Sequence, residues 1–206
     1  MVSGQPMAVH KAWHFVIVNN KNSRENTTYM RKINIRQIVI AGVVAALYAT
    51  LTIVIAPIAY GPIQFRIAEV LCILPFFFPL TVPGLFIGCL IANLLSPYGM
   101  LDVIAGSSAT LLAALCTMWL GRLSRNSMPI KALACFPPVI FNAIIIGAVI
   151  AWFSSDGAAA FWPAFALYGF QVGFGQLVVM YALGFPLMLC LPRLQFFRLI
   201  AGRSPI

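Results

Sequence analysis

The sequence predicts an all-α integral membrane protein with six transmembrane helices and both termini in the cytoplasm. Three observations carry this reading. Hydrophobic residues make up 62% of the chain and charged residues 8%, with a mean hydropathy of +0.96, far from the roughly 25% charged of soluble domains. Apolar segments of helical length follow one another, without the strict alternation of membrane-barrel strands. The basic residues, which set the net charge at +9, gather beside those segments rather than along one exposed face. They read as topology signals and not as a nucleic-acid footprint.

Residues 1–34 stand apart as a polar, basic extension. They hold His10, Lys11, His14, Lys21, Arg24 and Glu25, and their one apolar patch, Phe15 to Val18, is too short for a signal-peptide core. We expect this segment to be disordered and cytoplasmic, with Met30 an equally good start. On that side of the membrane the Asn26-Thr27-Thr28 sequon has no role, and neither histidine has a metal-ligand partner at a useful spacing.

The transmembrane domain is expected over 35–192. Its first segment, Ile35 to Ile58, repeats Ala41, Ala45 and Ala49 every four residues, with Gly42 and Ala46 beside them. A face of small residues lets another helix approach closely in lipid, and that helix belongs either to this chain or to a partner. The next two segments, Ala68 to Leu80 and Val82 to Leu95, have only about 13 residues each, or roughly 20 Å of helix against a hydrocarbon core of about 30 Å. Charge parity separates them. Arg31, Lys32 and Arg36 precede the first segment, Arg122, Arg125 and Lys131 follow the fourth, and Arg193, Arg198 and Arg203 follow the last, so all share one side only when the total is six. Pro79 and Pro83 mark the same joint, because proline removes a helix hydrogen bond and pushes the preceding residue out of the helical region. The remaining segments are Leu101 to Leu120, Ala132 to Phe153 and Phe165 to Leu191, followed by a basic cytoplasmic tail over 193–206. On this topology the loops at 59–67, 96–101 and 154–164 face outside. Trp152 and Trp162 flank the last of them as interfacial anchors would, a reading favoured over ligand stacking.

Only four acidic residues occur in the chain, and a charge at membrane depth costs on the order of 3 kcal/mol on insertion scales. Glu69 and Asp102 therefore stand out. Arg66 and Glu69 are three positions apart, the spacing of one helix face. They either neutralise each other as an ion pair, or Glu69 offers two acceptors to a planar donor edge while Arg66 orients it or contacts a ligand carbonyl. Gln64, Asn93, Asn142 and Gln176 add neutral polar groups, and Tyr60, Phe65 and Tyr168 could stack on a flat ring. Asp102 either complements a helix N-terminus or touches ligand. The five cysteines show no metal spacing and read as buried thiols. Neither a catalytic pair nor a phosphate-binding glycine loop appears, so we expect no enzyme, no ATPase and no cofactor held by this chain.

The same residues resemble the QueT family of substrate-binding (S) components of energy-coupling factor transporters. The likeness covers about 36–192. It rests on Ala45-Ala46-Leu47-Tyr48 with Ala56-Pro57, on Gly61-Pro62-Ile63-Gln64-Phe65-Arg66-Ile67-Ala68-Glu69, and on Gly88-Cys89-Leu90-Ile91-Ala92-Asn93-Leu94. It continues in Leu101-Asp102-Val103 with Gly106-Ser107, in Pro137-Pro138-Val139 with Asn142, and in Gly173 to Gln176. The second block is the most specific, and Gln176 stands where the family pattern leads us to expect Glu. The resemblance implies a six-helix S-component fold in a bacterial cytoplasmic membrane. It also implies docking of the small face of the first helix on a transmembrane coupling subunit driven by two ATPases. The implied cargo is a queuosine precursor, a 7-deazaguanine such as preQ0, preQ1 or queuine, with Glu69 facing its donor edge and Asp102 a 7-aminomethyl cation. Alternatives are an S component for another nutrient such as a cobalamin, with Cys72 or Cys89 as a cobalt ligand, or a membrane enzyme or pore using Arg66, Glu69 and Asp102.

Overall fold

Proline sets the joints of this helical chain. The computed structural model describes residues 35–61, 63–123, 127–155 and 157–193, and of residues 36 and 158 the backbone alone. The expected extension at 1–34, and all of the basic tail but Arg193, lie outside them, as does Arg125. The site lies wholly in the compact unit that begins at Gln37.

Helix α1 (Ile35–Val54) stops a turn short of the expected Ile58, because Pro57 opens a separate single turn, α2 (Ala56–Ala59). The segment expected as Ala68 to Leu80 is a tighter 3-10 run over Ile67–Ile73 leading into one α turn, α3 (Leu74–Phe77). It breaks at Phe78, whose φ of −129° and ψ of 93° are extended, the conformation that the following Pro79 imposes. A 3-10 turn over Pro79–Thr81 feeds α4 (Val82–Asn93), with Pro83 in its first turn, where no hydrogen bond is lost.

Helix α5 (Gly99–Leu123) carries Asp102 in its first turn. The fifth expected segment is divided by Pro137-Pro138 into α6 (Met128–Ala134) and α7 (Pro137–Ser154). The last begins at Ala158, a full seven residues before the expected Phe165, as α8 (Ala158–Val179). It passes through a π turn over Met180–Gly184 into α9 (Phe185–Cys190). There the Phe185 N–H reaches back to the Met180 carbonyl, a local widening just ahead of Pro186, which has no N–H to give.

Among the described residues there are no strands, and four apolar helical stretches are long enough to cross a bilayer: Gln37–Val54, Gly99–Leu123, Met128–Ser154 and Ala159–Arg193. Ile67–Phe77 and Pro79–Asn93 are apolar but shorter. Their contacts show how far they reach. Phe76 packs its backbone against Gly121 at one end of α5, and Asn93 bonds the Asp102 carbonyl at the other, at 3.2 Å. Those two points are roughly 28 Å apart at 1.5 Å per residue.

Small residues make the close contacts. A Cβ on Gly88 would lie 2.6 Å from the Ala45 carbonyl and 2.9 Å from the Tyr48 Cβ, and Gly84 meets Ala41 in the same way. Of the two readings of the small face of α1, packing within the chain accounts for Ala41 and Ala45. Ala45 and Ala49 are buried, and Ala41 and Ala45 lie against Gly84 and Gly88 of α4. Gly42, with open space around it, and Ala46 are the small residues that face outward. Gly147 likewise packs on Gly169 to join α7 and α8.

Candidate functional site

The 3-10 run begins at Ile67, so Arg66 is its cap residue, with φ −82° and ψ 86°. The three-residue spacing to Glu69 is therefore not a helix repeat, and the two side chains part. Arg66 Nη2 lies 3.4 Å from Asp102 Oδ2, and its guanidinium sits 5.5 Å from the centroid of the Tyr60 ring. Asp102 Oδ2 also accepts from Ser96 Oγ at 2.5 Å. Tyr60 donates to the Ala92 carbonyl at 2.6 Å, and burial pushes its phenol up to about 12, which keeps it a donor at neutral pH.

Glu69, expected either to pair with Arg66 or to offer its carboxylate to a ligand, accepts hydrogen bonds from protein donors. Oε1 accepts from Tyr48 at 2.6 Å and from Thr110 at 2.9 Å, and Oε2 accepts from Cys72 at 3.1 Å. Three elements thus meet on one fully buried carboxylate. Tyr48, Thr110 and Ser96 were not among the expected site residues. The signal for Tyr48 was its place on the small-residue face of α1, one turn before Thr52, where a large polar ring needs an inward partner.

The remaining polar residues have the opposite character. Among the described residues, buried side-chain atoms without a hydrogen-bond partner are Gln64 Oε1 and Nε2, Arg66 Nε and Nη1, Asn93 Oδ1, Asp102 Oδ1, Asn142 Oδ1, Gln171 Oε1, and Gln176 Oε1 and Nε2. Gln64, Arg66, Asn93, Asp102, Asn142 and Gln176 are each no more than 1% exposed. Leaving one such group unpaired costs roughly 1–3 kcal/mol. Buried polar groups are normally completed by protein, a polar solute or water, which marks this set as the candidate site.

Packing brings these groups together. Asn93 fits beside Asp102 because Gly106 has no side chain to fill its place. Ile63 packs its carbonyl where a Cβ on Gly175 would stand, so the backbone leading into Gln64 lies against the turn of α8 that carries Gln176. Ala143 meets Gly169 and Gly173, so Asn142 and Gln176 lie on facing turns of α7 and α8. Tyr98 and Tyr168 pack on Ile146, Ile150 and Val172, one turn along the same faces, and Phe65 is half-buried. A separate open hollow of about 410 Å³ at the α7–α8 connection is lined by Trp152, Ser155, Gly157, Phe161 and Trp162 and shares no residue with this cluster. Among the described residues no group of three or more His, Cys, Asp or Glu could hold a metal ion.

Bilayer-length apolar helices around a sealed, under-partnered polar cluster define a multi-pass membrane protein. Comparison with known proteins gives the family. The model of the QueT transporter family matches residues 38–193, and the chain belongs to that family of transporters. It is 43% identical over 84 residues to the queuosine precursor transporter QueT of Lactococcus lactis subsp. cremoris (strain MG1363). That match covers 40% of this chain and 49%, about half, of the relative's length. No solved structure matches the chain.

Proposed function

We propose that this protein is the substrate-specific S component of an energy-coupling factor transporter, capturing a queuosine precursor of the 7-deazaguanine class at the outer face of a bacterial cytoplasmic membrane. The observation that carries the reading is the set of buried, unpartnered polar atoms on Gln64, Arg66, Asn93, Asp102, Asn142 and Gln176, a pattern of donors and acceptors suited to a small heteroaromatic solute. The relative's name supplies the solute class. Arg66 keeps two unpartnered nitrogens, Nε and Nη1, for a ring carbonyl, and Asp102 Oδ1 remains open to a cationic substituent.

The short apolar pair Ile67–Phe77 and Pro79–Asn93 supports a six-crossing topology, because its contacts extend along nearly the whole of α5. Both termini are then cytoplasmic. A coupling subunit docks on the outward face of α1, and two ATPase subunits supply the energy for release inward.

Thermal-shift measurements on the purified chain with a panel of 7-deazaguanines, cobalamin and unrelated vitamins test the cargo. Stabilisation by the deazaguanines alone is expected, since a ligand that binds the native state at a hundredfold its Kd adds about 2.7 kcal/mol. No shift with any deazaguanine would end the cargo assignment, and turnover or ion conductance by the chain alone would end the S-component reading.

A further inference from the structure

Resting on that reading, the geometry points to a neutral readout of the cargo ring: Gln64 and Gln176 together form a carboxamide clamp on its lactam and amino edge, and Glu69 does not touch it. Gln64 and Gln176 are distinguished from every other polar residue of the cluster. Each is at most 1% exposed, and in each both the amide oxygen and the amide nitrogen lack a partner. Asn93, Asp102 and Asn142 each hold one atom in a protein bond and leave one free.

A second observation singles out Gln64. Its φ is +47°, the one positive φ at a non-glycine among the described residues. The left-handed region is uncommon for residues with a side chain and is kept where the surrounding structure enforces it, often at ligand sites. Here the bend is fixed by the Gln64 N–H on the Gly61 carbonyl at 3.1 Å and the Arg66 N–H on the Gln64 carbonyl at 2.9 Å. Gly61 lies three residues away, yet the strained position carries a glutamine whose amide is sealed inside. The contact of Ile63 with Gly175 brings the backbone next to Gln64 against the backbone next to Gln176.

The chemistry fits a deazaguanine edge. Its carbonyl oxygen accepts, and its ring N–H and exocyclic amine donate. A carboxamide offers one acceptor and two donors, so two of them supply acceptors for both ring donors and an N–H for the carbonyl. A carboxylate supplies acceptors only, and the Glu69 oxygens already receive Tyr48, Thr110 and Cys72. The glutamine at 176, which departs from the expected Glu, becomes a specificity-determining residue on this view.

The test is calorimetric titration of the full chain in nanodiscs with 7-deazaguanine, using wild type, Gln64→Leu, Gln176→Leu and Glu69→Gln. Each leucine variant is expected to bind at least tenfold more weakly, and Glu69→Gln within threefold of wild type. Gln64→Gly serves as the folding control, because glycine accepts the left-handed backbone. It should melt without ligand at or above the wild-type temperature and still lose affinity. Wild-type binding with both leucine variants within threefold would overturn the clamp and leave the proposed function standing. A Gln64→Gly chain that melts far below wild type would also overturn it, by making Gln64 a packing residue. No wild-type binding at all would remove the function and the clamp together.

Discussion

Arg66 shows what a buried charge requires. At 1% exposure, and beside a carboxylate at 0%, it is the kind of group that must find an anion, and Asp102 is that anion rather than the nearer-in-sequence Glu69. Breaking such a pair by removing one partner costs about 3–5 kcal/mol, because the other charge stays buried and uncompensated. Asp102→Asn is therefore expected to lower the melting temperature sharply and to reduce the folded yield in the membrane, more than any single change at Gln64 or Gln176. Fluorescence-detected size exclusion of the solubilised protein at rising temperature would measure it, and a variant as stable as wild type would contradict the pairing. That Arg66, Glu69 and Asp102 matter was legible from composition alone, since four acids in such an apolar chain cannot be incidental. Their partners were not legible. The spacing of Arg66 and Glu69 implies a shared face only if both lie in one helix, and Arg66 is the cap.

At the scale of elements, the contact between α1 and α4 is the sharpest case. The alanine row of α1 and the Gly84–Gly88 pair of α4 are each small-residue faces, and the structure pairs them with each other. Gly88→Ala is expected to be destabilising, since its Cβ would fall 2.6 Å from a backbone carbonyl that cannot move aside easily. Gly42→Leu meets nothing within 4 Å and should melt like wild type with cargo binding intact. Under the proposed docking, that variant fails to copurify with a tagged coupling subunit, and normal copurification would remove α1's outward face as the docking surface. The helix limit at Phe78 was readable because Pro79 and Pro83 marked it, whereas the break at Pro137-Pro138 fell inside a segment expected to be continuous from Ala132 to Phe153. The early start of the last helix at Ala158 was not readable either, because Pro163 sits within its first turns and reads in sequence as a boundary.

For the molecule as a whole, the joint between the two short helices sets the topology. The six-crossing proposal puts the joint at Phe78 to Thr81 on the side of the α5–α6 connection and opposite the α4–α5 turn. Leu80→Cys, in a background lacking Cys116 and Cys190, should then react with an impermeant maleimide from the same side as Ser127→Cys and opposite to Pro97→Cys. Labelling of Leu80→Cys together with Pro97→Cys would exclude that topology. The packing of Phe76 against Gly121 is the structural basis for the expected result.

Composition and the run of apolar segments determined by themselves that this is a helical membrane protein and which few polar residues its interior could contain. These are properties of local chain chemistry against a low-dielectric solvent. Which of those polar residues satisfy one another and which remain open was decided only by tertiary structure. Hydrogen bonding depends on ångström-scale distances between segments far apart in the chain: Tyr48, Thr110 and Cys72 close around Glu69, while the buried amides of Gln64 and Gln176 are left unspent.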